Sequence, residues 1–455
     1  MKLKVYFVTL GCPKNQVDTE LMMGMLVERG HEMVLDPAAA DVLVVNTCAF
    51  IEDSKVESID AILELARLKK GAERRLIVTG CLPQRYADEL QHELPEVDVF
   101  IGTGRLTAIT TAVTVPLQKG RSFVYVGAGH TLAEFERPRV VLGSFFSAYL
   151  RISEGCSRTC SFCVIPKVRG SHESRPLASL VAEAASLARQ GVVELNLVAQ
   201  DLAAYGQGRG DGNLADLLRA LVRIEGIRWI RLLYLYPQRI DDELLDVIAG
   251  EEKICQYIDM PLQHINTRVL RAMGRERSVA SLNRLIARIR RRVPGVVLRT
   301  SFMVGFPGET EVEFGELVEF LKEAAIEHVG VFRYSREEGT PAARLPDQVP
   351  AAVKMHRYRT LMEAQAQVSA ERNAALVGRI EDVLVCEVGR EGRLVGRTRG
   401  QAPGIDGAVV LDGGAAPGDI VPTRIVGAGA YDLRGVVLAC GAGVGNAVDN
   451  AGTSL

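Results

Sequence analysis

Cys156-Ser157-Arg158-Thr159-Cys160-Ser161-Phe162-Cys163 sets three cysteines at C-x-x-x-C-x-x-C spacing. A complete 4Fe-4S site takes four cysteine thiolates, so three grip three corners of a cubane and leave one iron open. Open metal positions characterise catalytic sites, closed ones structural sites. The competing reading is a Cys3His zinc knuckle with His172 as the fourth ligand. Zinc sites usually place their ligands in two short pairs; here no second pair follows and His172 stands alone.

Working outward, residues 138–375 alternate strand and helix signals. Strands are expected at Phe146–Ile152, Val193–Ala199, Trp229–Leu235, Ile254–Met260, Val296–Val304 and Val329–Tyr334. Leu177, Leu180, Val181, Ala184 and Leu187 form one apolar helix face ended by Gly191, and Leu214, Leu217, Leu218, Leu221 and Val222 form another ended by Gly226. Six strand–helix units are too few for a closed eight-fold barrel and suit an open, curved half-barrel. Its chemistry belongs at strand carboxyl ends, and the Cys156 loop follows the first strand. Other strand ends are polar too: Gln200-Asp201, Gln263-His264 and Gly305-Phe306-Pro307-Gly308-Glu309. His264 reads as a hydrogen-bonded strand-end histidine and receives no catalytic role.

Residues 1–137 give a second strand–helix series. Lys4–Leu10 runs into Gly11-Cys12, Asp41–Asn46 into Thr47-Cys48, and Leu76–Thr79 into Gly80-Cys81; Val97–Ile101 adds a fourth strand. The helix Val56–Leu68 presents Ile59, Ile62, Leu63 and Ala66 on one face. Apolar strands separated by helices imply a doubly wound parallel sheet, whose ligands sit beyond the strand carboxyl ends. A single cysteine there is usually a small buried hydrophobe. Three successive strands each ending in cysteine point instead to a shared metal site at one sheet edge, again with three ligands.

After a charged connecting helix, Met355–Leu376, short strands between glycine-rich turns (Ile380–Val388, Arg393–Arg399, Gly407–Leu411, Asp419–Val426, Leu433–Val437) suggest a small antiparallel β-barrel over 376–442. Residues 443–455 read as a disordered tail. Between Gly378 and Cys440 there are seven arginines, no lysine and eight carboxylates, a net charge of -1. A nucleic-acid module usually has a basic face; here only Arg390, Arg393, Arg397 and Arg399 could form one. Cys255, Cys386 and Cys440 read as structural.

The whole chain fits this division. Its 455 residues suggest about three domains, and 47% apolar with 24% charged content is ordinary for a globular protein. A formal charge of -2 recruits neither nucleic acid nor an anionic membrane. The first residues lack a signal-peptide cleavage site, and no run reaches the ~18 apolar residues of a membrane span. A cytosolic location with no membrane partner is expected, where nine cysteines serve as metal ligands and buried thiols rather than disulfides.

The Cys156–Cys163 spacing, with Phe162 before the last cysteine, resembles the radical S-adenosylmethionine (SAM) superfamily. That resemblance implies that the amino acid end of SAM chelates the open iron and that an electron from the cluster releases a 5′-deoxyadenosyl radical. It also makes Gly305–Glu309 similar to the superfamily's glycine-containing segment beside the adenosyl group, although turn chemistry explains that run equally well. Phe162, Arg169, Arg175, Gln200, Gly305 and Glu309 are the candidate SAM contacts. Arg169 and Arg175 suit the SAM carboxylate, or are solvated arginines.

Together, the dispersed Cys12, Cys48 and Cys81, the half-barrel and the terminal barrel resemble the radical SAM methylthiotransferases over nearly the whole chain. The resemblance implies that Cys156, Cys160 and Cys163 hold the SAM cluster. It implies that Cys12, Cys48 and Cys81 hold an auxiliary 4Fe-4S cluster that supplies or carries sulfur, and that the terminal barrel is a substrate-contacting TRAM domain. Leu10-Gly11-Cys12-Pro13-Lys14-Asn15, Tyr234-Leu235-Tyr236-Pro237, Tyr257–His264 and Ser301–Thr310 are similar to the branch acting on the β-carbon of an aspartate in small-subunit ribosomal protein twelve, on the ribosomal subunit. SAM would then serve as methyl donor and radical source, a flavodoxin-like protein as electron donor, and the two cysteine triads would face one cavity. The rivals are a tRNA methylthiotransferase with the same clusters, marked by salt-sensitive tRNA binding, and a non-catalytic iron–sulfur carrier, which would not cleave SAM.

Overall fold

Val42 and Val44 pack on one face of the first sheet while Leu43 and Val45 pack on the other. This alternation with a period of two is what a strand covered by helices on both sides requires. The computed structural model describes residues 2–69, 74–116, 121–127, 135–275 and 278–438. The chain divides into two compact units, Met1–Ser369 and Ala370–Leu455.

The first unit begins with β1 (Lys4–Thr9), α1 (Pro13–Glu28), β2 (Glu32–Met33), β3 (Val42–Thr47), α2 (Glu52–Lys69), β4 (Arg75–Gly80), α3 (Cys81–Glu93), β5 (Val99–Gly102), α4 (Ile109–Ala112) and β6 (Phe123–Tyr125). The strands form one parallel sheet in the order β2-β1-β3-β4-β5-β6. Val17, Leu21 and Leu26 of α1 and Ile109 of α4 cover one face, and Ile62 and Leu65 of α2 and Leu90 of α3 the other. The α2 face is rotated from expectation. Ser58, Ile62, Leu65 and Ala66 are buried while Leu63 is 37% exposed, because Ser58 turns inward to bond the Cys48 backbone.

The chain continues through β7 (Ser147–Arg151), β8 (Ser153–Glu154), α5 (Ile165–Arg169), β9 (Glu173–Ser174), α6 (Leu177–Arg189), β10 (Glu194–Val198), α7 (Leu214–Leu221), β11 (Trp229–Leu232), α8 (Asp242–Gly250), β12 (Ile254–Asp259), α9 (Thr267–Ala272), α10 (Val279–Arg292), β13 (Val297–Val304), α11 (Glu311–Ala324), β14 (His328–Arg333) and α12 (Ala351–Ala374). Six strands make an open parallel sheet in the order β14-β13-β12-β11-β10-β7. This is the expected half-barrel, with helices such as α6, α7 and α11 packed on it through Leu180, Leu217 and Leu317.

Helix α1 is buried on its polar side as well as its apolar one: Asn15, Asp18 and Glu20 are at most 1% exposed. The cause is its position between the sheet and β7. Arg151 of β7 reaches Asp18, and Arg139, just before β7, reaches Glu20 at 3.0 Å. The helix that starts at Cys12 is therefore keyed to the half-barrel by buried ion pairs.

In the second unit, β15 (Ile380–Val388), β16 (Leu394–Thr398), β17 (Val409–Asp412), β18 (Ile420–Ala428) and β19 (Leu433–Val437) close a barrel in the order β15-β16-β17-β19-β18. It departs from the expected all-antiparallel barrel at one seam, where β17 and β19 pair in parallel, since β18 inserts between them in sequence and pairs on the far side of β19. Arg397 is 7% exposed and donates to Gln401 O, so it does not belong to a basic surface. The expected tail, 443–455, and Cys440 lie outside the described residues.

Candidate active site

The strand order places β1, β3 and β4 side by side, so their carboxyl ends meet at one edge. Cys12 is the N-cap of α1, Cys48 follows β3, and Cys81 is the first residue of α3. In parallel sheets the point where strand order reverses, here between β1 and β3, is the usual ligand crevice, and helix N-termini favour anions. Gly11 has φ +90°, and a Cβ on it would lie 2.8 Å from Cys48 Cβ. Gly80, with φ +100°, fits against Asn46 Oδ1 and Thr47 O; a Cβ would lie 2.6 Å from Thr47 O. Gly80→Ala should therefore both strain the backbone and push Cys81 off its neighbours. The expected cost is about 2 kcal/mol or more, read as a lower denaturation midpoint of the metal-free chain together with reduced iron uptake.

Asn15 organises this edge. Its Nδ2 donates to Leu10 O and Thr47 O, both at 2.9 Å, bridging the ends of β1 and β3. With its amide nitrogen so committed, Oδ1 must face the cysteines, 4.0 Å from Cys12 Sγ and 3.8 Å from Cys81 Sγ. Burial pushes the Cys48 thiol up and the Cys81 thiol up to about 12. Both are neutral thiols at pH 7 without a metal, and metal binding there must release protons.

The second triad sits on the loop after β7. Its backbone is pinned on one side by Cys156 N donating to Gly170 O at 3.0 Å, and on the other by Ser161 N donating to Met273 O at 3.0 Å and Ala342 N donating to Ser161 O at 2.8 Å. Burial raises the Cys156 thiol, with Asp201 adding to it, and takes Cys163 to about 12. Ile165 N donates to Cys163 Sγ at 3.4 Å.

The two triads border the same rim. Residue Tyr234, just past β11, lies within electrostatic range of Cys12, and Tyr236 within range of Cys160. Tyr236 is held between Arg158 and Arg275, 3.9 and 4.9 Å from its ring centre. Helix α5, directly after Cys163, buries Val168 in the same apolar cluster as Cys81, as does the preceding Val164. From α5, Arg169 reaches Cys81 Sγ at 3.8 Å and also donates to Asn15 Oδ1.

Beneath lies a closed set of buried charges. Arg151 Nη1 meets Asp18 at 2.6 Å and Glu154 at 2.8 Å; Arg169 Nη1 meets Asp18 at 2.8 Å and Glu154 at 3.5 Å. All four are at most 2% exposed. Burial disfavours the Arg169 charge, but the carboxylates of Asp18 and Glu154 outweigh that and raise its pKa.

The candidate SAM contacts divide. Arg169 is engaged as above, and Arg175 meets Glu183 at 2.6 Å and donates to Arg151 O at 3.0 Å. Glu309 turns inward onto its own loop, where it accepts from Gly305 N and meets Arg357 at 3.2 Å and His264 at 3.4 Å. Gln200 donates to Glu154, and Phe162 packs against the half-barrel core. His264 is fully buried and hydrogen-bonded.

Among the described residues, no three His, Cys, Asp or Glu side chains are gathered to hold a single metal ion, and His172 Nε2 pairs with Ser174 at 3.0 Å. A cubane takes one thiolate at each of several irons, so it does not require its ligands to converge on one atom. Sequence reasoning treated Lys14 and Asn15 only as motif letters and missed Asp18, Arg151 and Glu154. The available signal was the polar side of α1 directly after Cys12.

The chain matches the uncharacterized protein family UPF0004 over residues 4–102, the radical SAM superfamily over 150–321 and the TRAM domain over 377–438. It is 49% identical over 442 residues to the ribosomal protein uS12 methylthiotransferase RimO of Syntrophotalea carbinolica, covering 96% of this chain and 97% of that one. The chain belongs to the RimO family. RimO of Anaeromyxobacter sp. (strain K) is 50% identical over 449 residues, 96% of this chain and 94% of its own. As a RimO-family member the chain is a radical SAM methylthiotransferase. Among solved structures, the radical SAM methyltransferase TsrM of Kitasatospora setae, with cobalamin and a [4Fe-4S] cluster bound, aligns with a TM-score of 0.53 at 17% identity over 84% of this chain and 81% of its own. That likeness is one of fold.

Proposed function

We propose that this chain transfers a methylthio group to the β-carbon of an aspartate in ribosomal protein uS12, acting on the small ribosomal subunit in the cytoplasm. The observation that carries the reading is near-half identity, spanning almost the full length of both chains, to proteins named for that activity. In this reading residues 1–137 carry the auxiliary site, 138–375 the radical SAM core and 376–442 a substrate-binding barrel. Cys156, Cys160 and Cys163 hold one 4Fe-4S cluster, and Cys12, Cys48 and Cys81 hold the other. The donor chemistry of each set fits such a group: three soft, free thiols, one set at strand ends and the other on a single loop. When bound, the clusters and SAM supply the electron, the methyl, the sulfur and the hydrogen-abstracting radical. A small electron-transfer protein of the flavodoxin type serves as donor.

The chain's own residues prepare that chemistry. Asn15 locks the β1 and β3 ends in register and aims its carbonyl oxygen at two thiols of the first triad. Arg169 ties the loop of the second triad to the first, so the two cannot drift apart without breaking buried ion pairs. The doubly pinned Cys156–Cys163 loop and the clamped Tyr236 ring keep the rim pre-formed. An aspartate β-hydrogen is too weakly acidic for a side-chain base, which is why radical chemistry suits this substrate.

The test is anaerobic reconstitution of the full chain, then incubation with SAM, a reductant and either ribosomal subunits or bulk tRNA. The expected result is a methylthio mass increase on the uS12 peptide holding the target aspartate. An increase on tRNA alone would transfer the chain to the nucleoside-modifying relatives.

A further inference from the structure

Lys14 is 9% exposed, yet among the described residues its ammonium forms no hydrogen bond or ion pair. Its ammonium lies over the ring of Tyr234, whose centre is 4.0 Å from Nζ, and the Cys12 thiol and Glu154 are within electrostatic range. A nearly buried ammonium without an anion is costly, and an aromatic face offsets only part of that cost. The nearby carboxylates are already engaged. Asp18 and Glu154 are held by Arg151 and Arg169, while Asp259 accepts from Tyr234 N at 3.1 Å and meets Arg299 at 3.4 Å.

Tyr234 adds a second, independent observation. Its φ is +65°, a left-handed conformation that is an outlier for a bulky residue. Such strain collects at ligand sites, where the surrounding structure enforces it. Here it turns the strand-end chain so that the ring lies under Lys14 at the carboxyl-end rim of the half-barrel. Lys14 stands two residues after Cys12, on the side of the first triad. The recess thus presents a desolvated cation on an aromatic floor, with no carboxylate hydrogen-bonded to it among the described residues.

We propose that Lys14, seated on Tyr234, binds the side-chain carboxylate of the substrate aspartate. The inference rests on the aspartate reading above and deepens it. In aspartate the β-carbon is bonded directly to the carboxylate carbon, so an ammonium that fixes the carboxylate fixes the reacting carbon beside Cys12. A charged pair formed in such a recess discriminates strongly against a neutral isostere. Asparagine matches aspartate in shape and lacks the charge. The same contact explains selection of one residue type without any base or acid step. A carboxylate also exists on SAM, and the test separates the two sources.

The experiment measures equilibrium binding of recombinant uS12, with aspartate or asparagine at the target position, to the reconstituted full-length enzyme, with SAM binding measured in parallel. The wild type should bind the aspartate form at least about tenfold more tightly than the asparagine form. Lys14→Gln should erase that ratio by weakening the aspartate form alone, and Lys14→Arg should keep most of it. An unchanged ratio in Lys14→Gln at wild-type iron content would overturn the proposal, as would weakened SAM binding with the ratio intact. If Lys14→Gln does not load iron, the wild-type ratio decides, and equal affinity for the two forms overturns the proposal while leaving the substrate assignment standing. Binding of neither form by the wild type removes the substrate assignment itself.

Discussion

Cys160→Ala should cut the iron content of the reconstituted chain from about eight to about four atoms and reduce methylthio product below detection. Two thiols, Cys156 and Cys163, cannot hold a cubane that three barely hold. The first triad should keep its iron, because its support comes from Asn15, Ser58 and the strand ends β1 and β3. The variant should also fold normally. Cys160 is only partly buried, and the loop's pinning contacts run through Ser161 and Cys156 backbone groups rather than the Cys160 side chain. Iron and sulfide quantitation, with circular dichroism as the folding check, reads each part separately. A full iron complement in Cys160→Ala would remove that loop as a cluster site.

Arg151→Met should lower stability by about 3–5 kcal/mol, the usual result of stripping one partner from a buried charge set. The side chain is fully buried and serves Asp18 at 2.6 Å and Glu154 at 2.8 Å. Its loss leaves two carboxylates with Arg169 as their sole remaining cation in the set. Chemical denaturation of the metal-free chain measures the shift. Adding Asp18→Asn to Arg151→Met should recover part of the loss, since it removes the uncompensated charge. The exposed Arg219, paired with Glu243 at 2.8 Å on the surface, is the control: Arg219→Met should leave the midpoint unchanged. Equal effects at both positions would contradict the claim that buried charges key α1 to the half-barrel.

How far the sequence could be read depended on the length of each signal. The six half-barrel strands and the three cysteine-ending strands were legible because each is a run of at least four apolar-rich residues followed by a chemically distinct end. Strands β2 and β6, of two and three residues, are too short to show a period. The α2 face differs from expectation because Leu63 and Leu65 are equivalent to a hydrophobicity pattern; the Ser58–Cys48 bond that decides between them is tertiary. The parallel β17–β19 seam was hidden for the same reason, since strand sequences do not encode which neighbour lies beyond the next hairpin.

The two cysteine triads proposed as ligands follow from spacing and strand-end position, whereas the groups packed around them do not. Asn15, Asp18, Arg151, Glu154 and Arg169 come from three separate stretches and are united only when α1 packs on β7. Arg169 illustrates the limit. An arginine six residues after Cys163 suits a SAM carboxylate on paper, but the fold sends it across to Asp18 and Cys81. A buried polar helix face directly after a candidate ligand is the pattern that would have exposed this network.

The most direct test of the central claim uses SAM carrying a deuterated methyl group. The reconstituted full chain is incubated anaerobically with it, reductant and small ribosomal subunits, and the uS12 peptides are analysed by mass spectrometry. The account predicts a methylthio group bearing the deuterium label at the target aspartate, absent when Cys81→Ala replaces the wild type. Labelled methylthio groups appearing on tRNA with uS12 unmodified, or full product from Cys81→Ala, would contradict it.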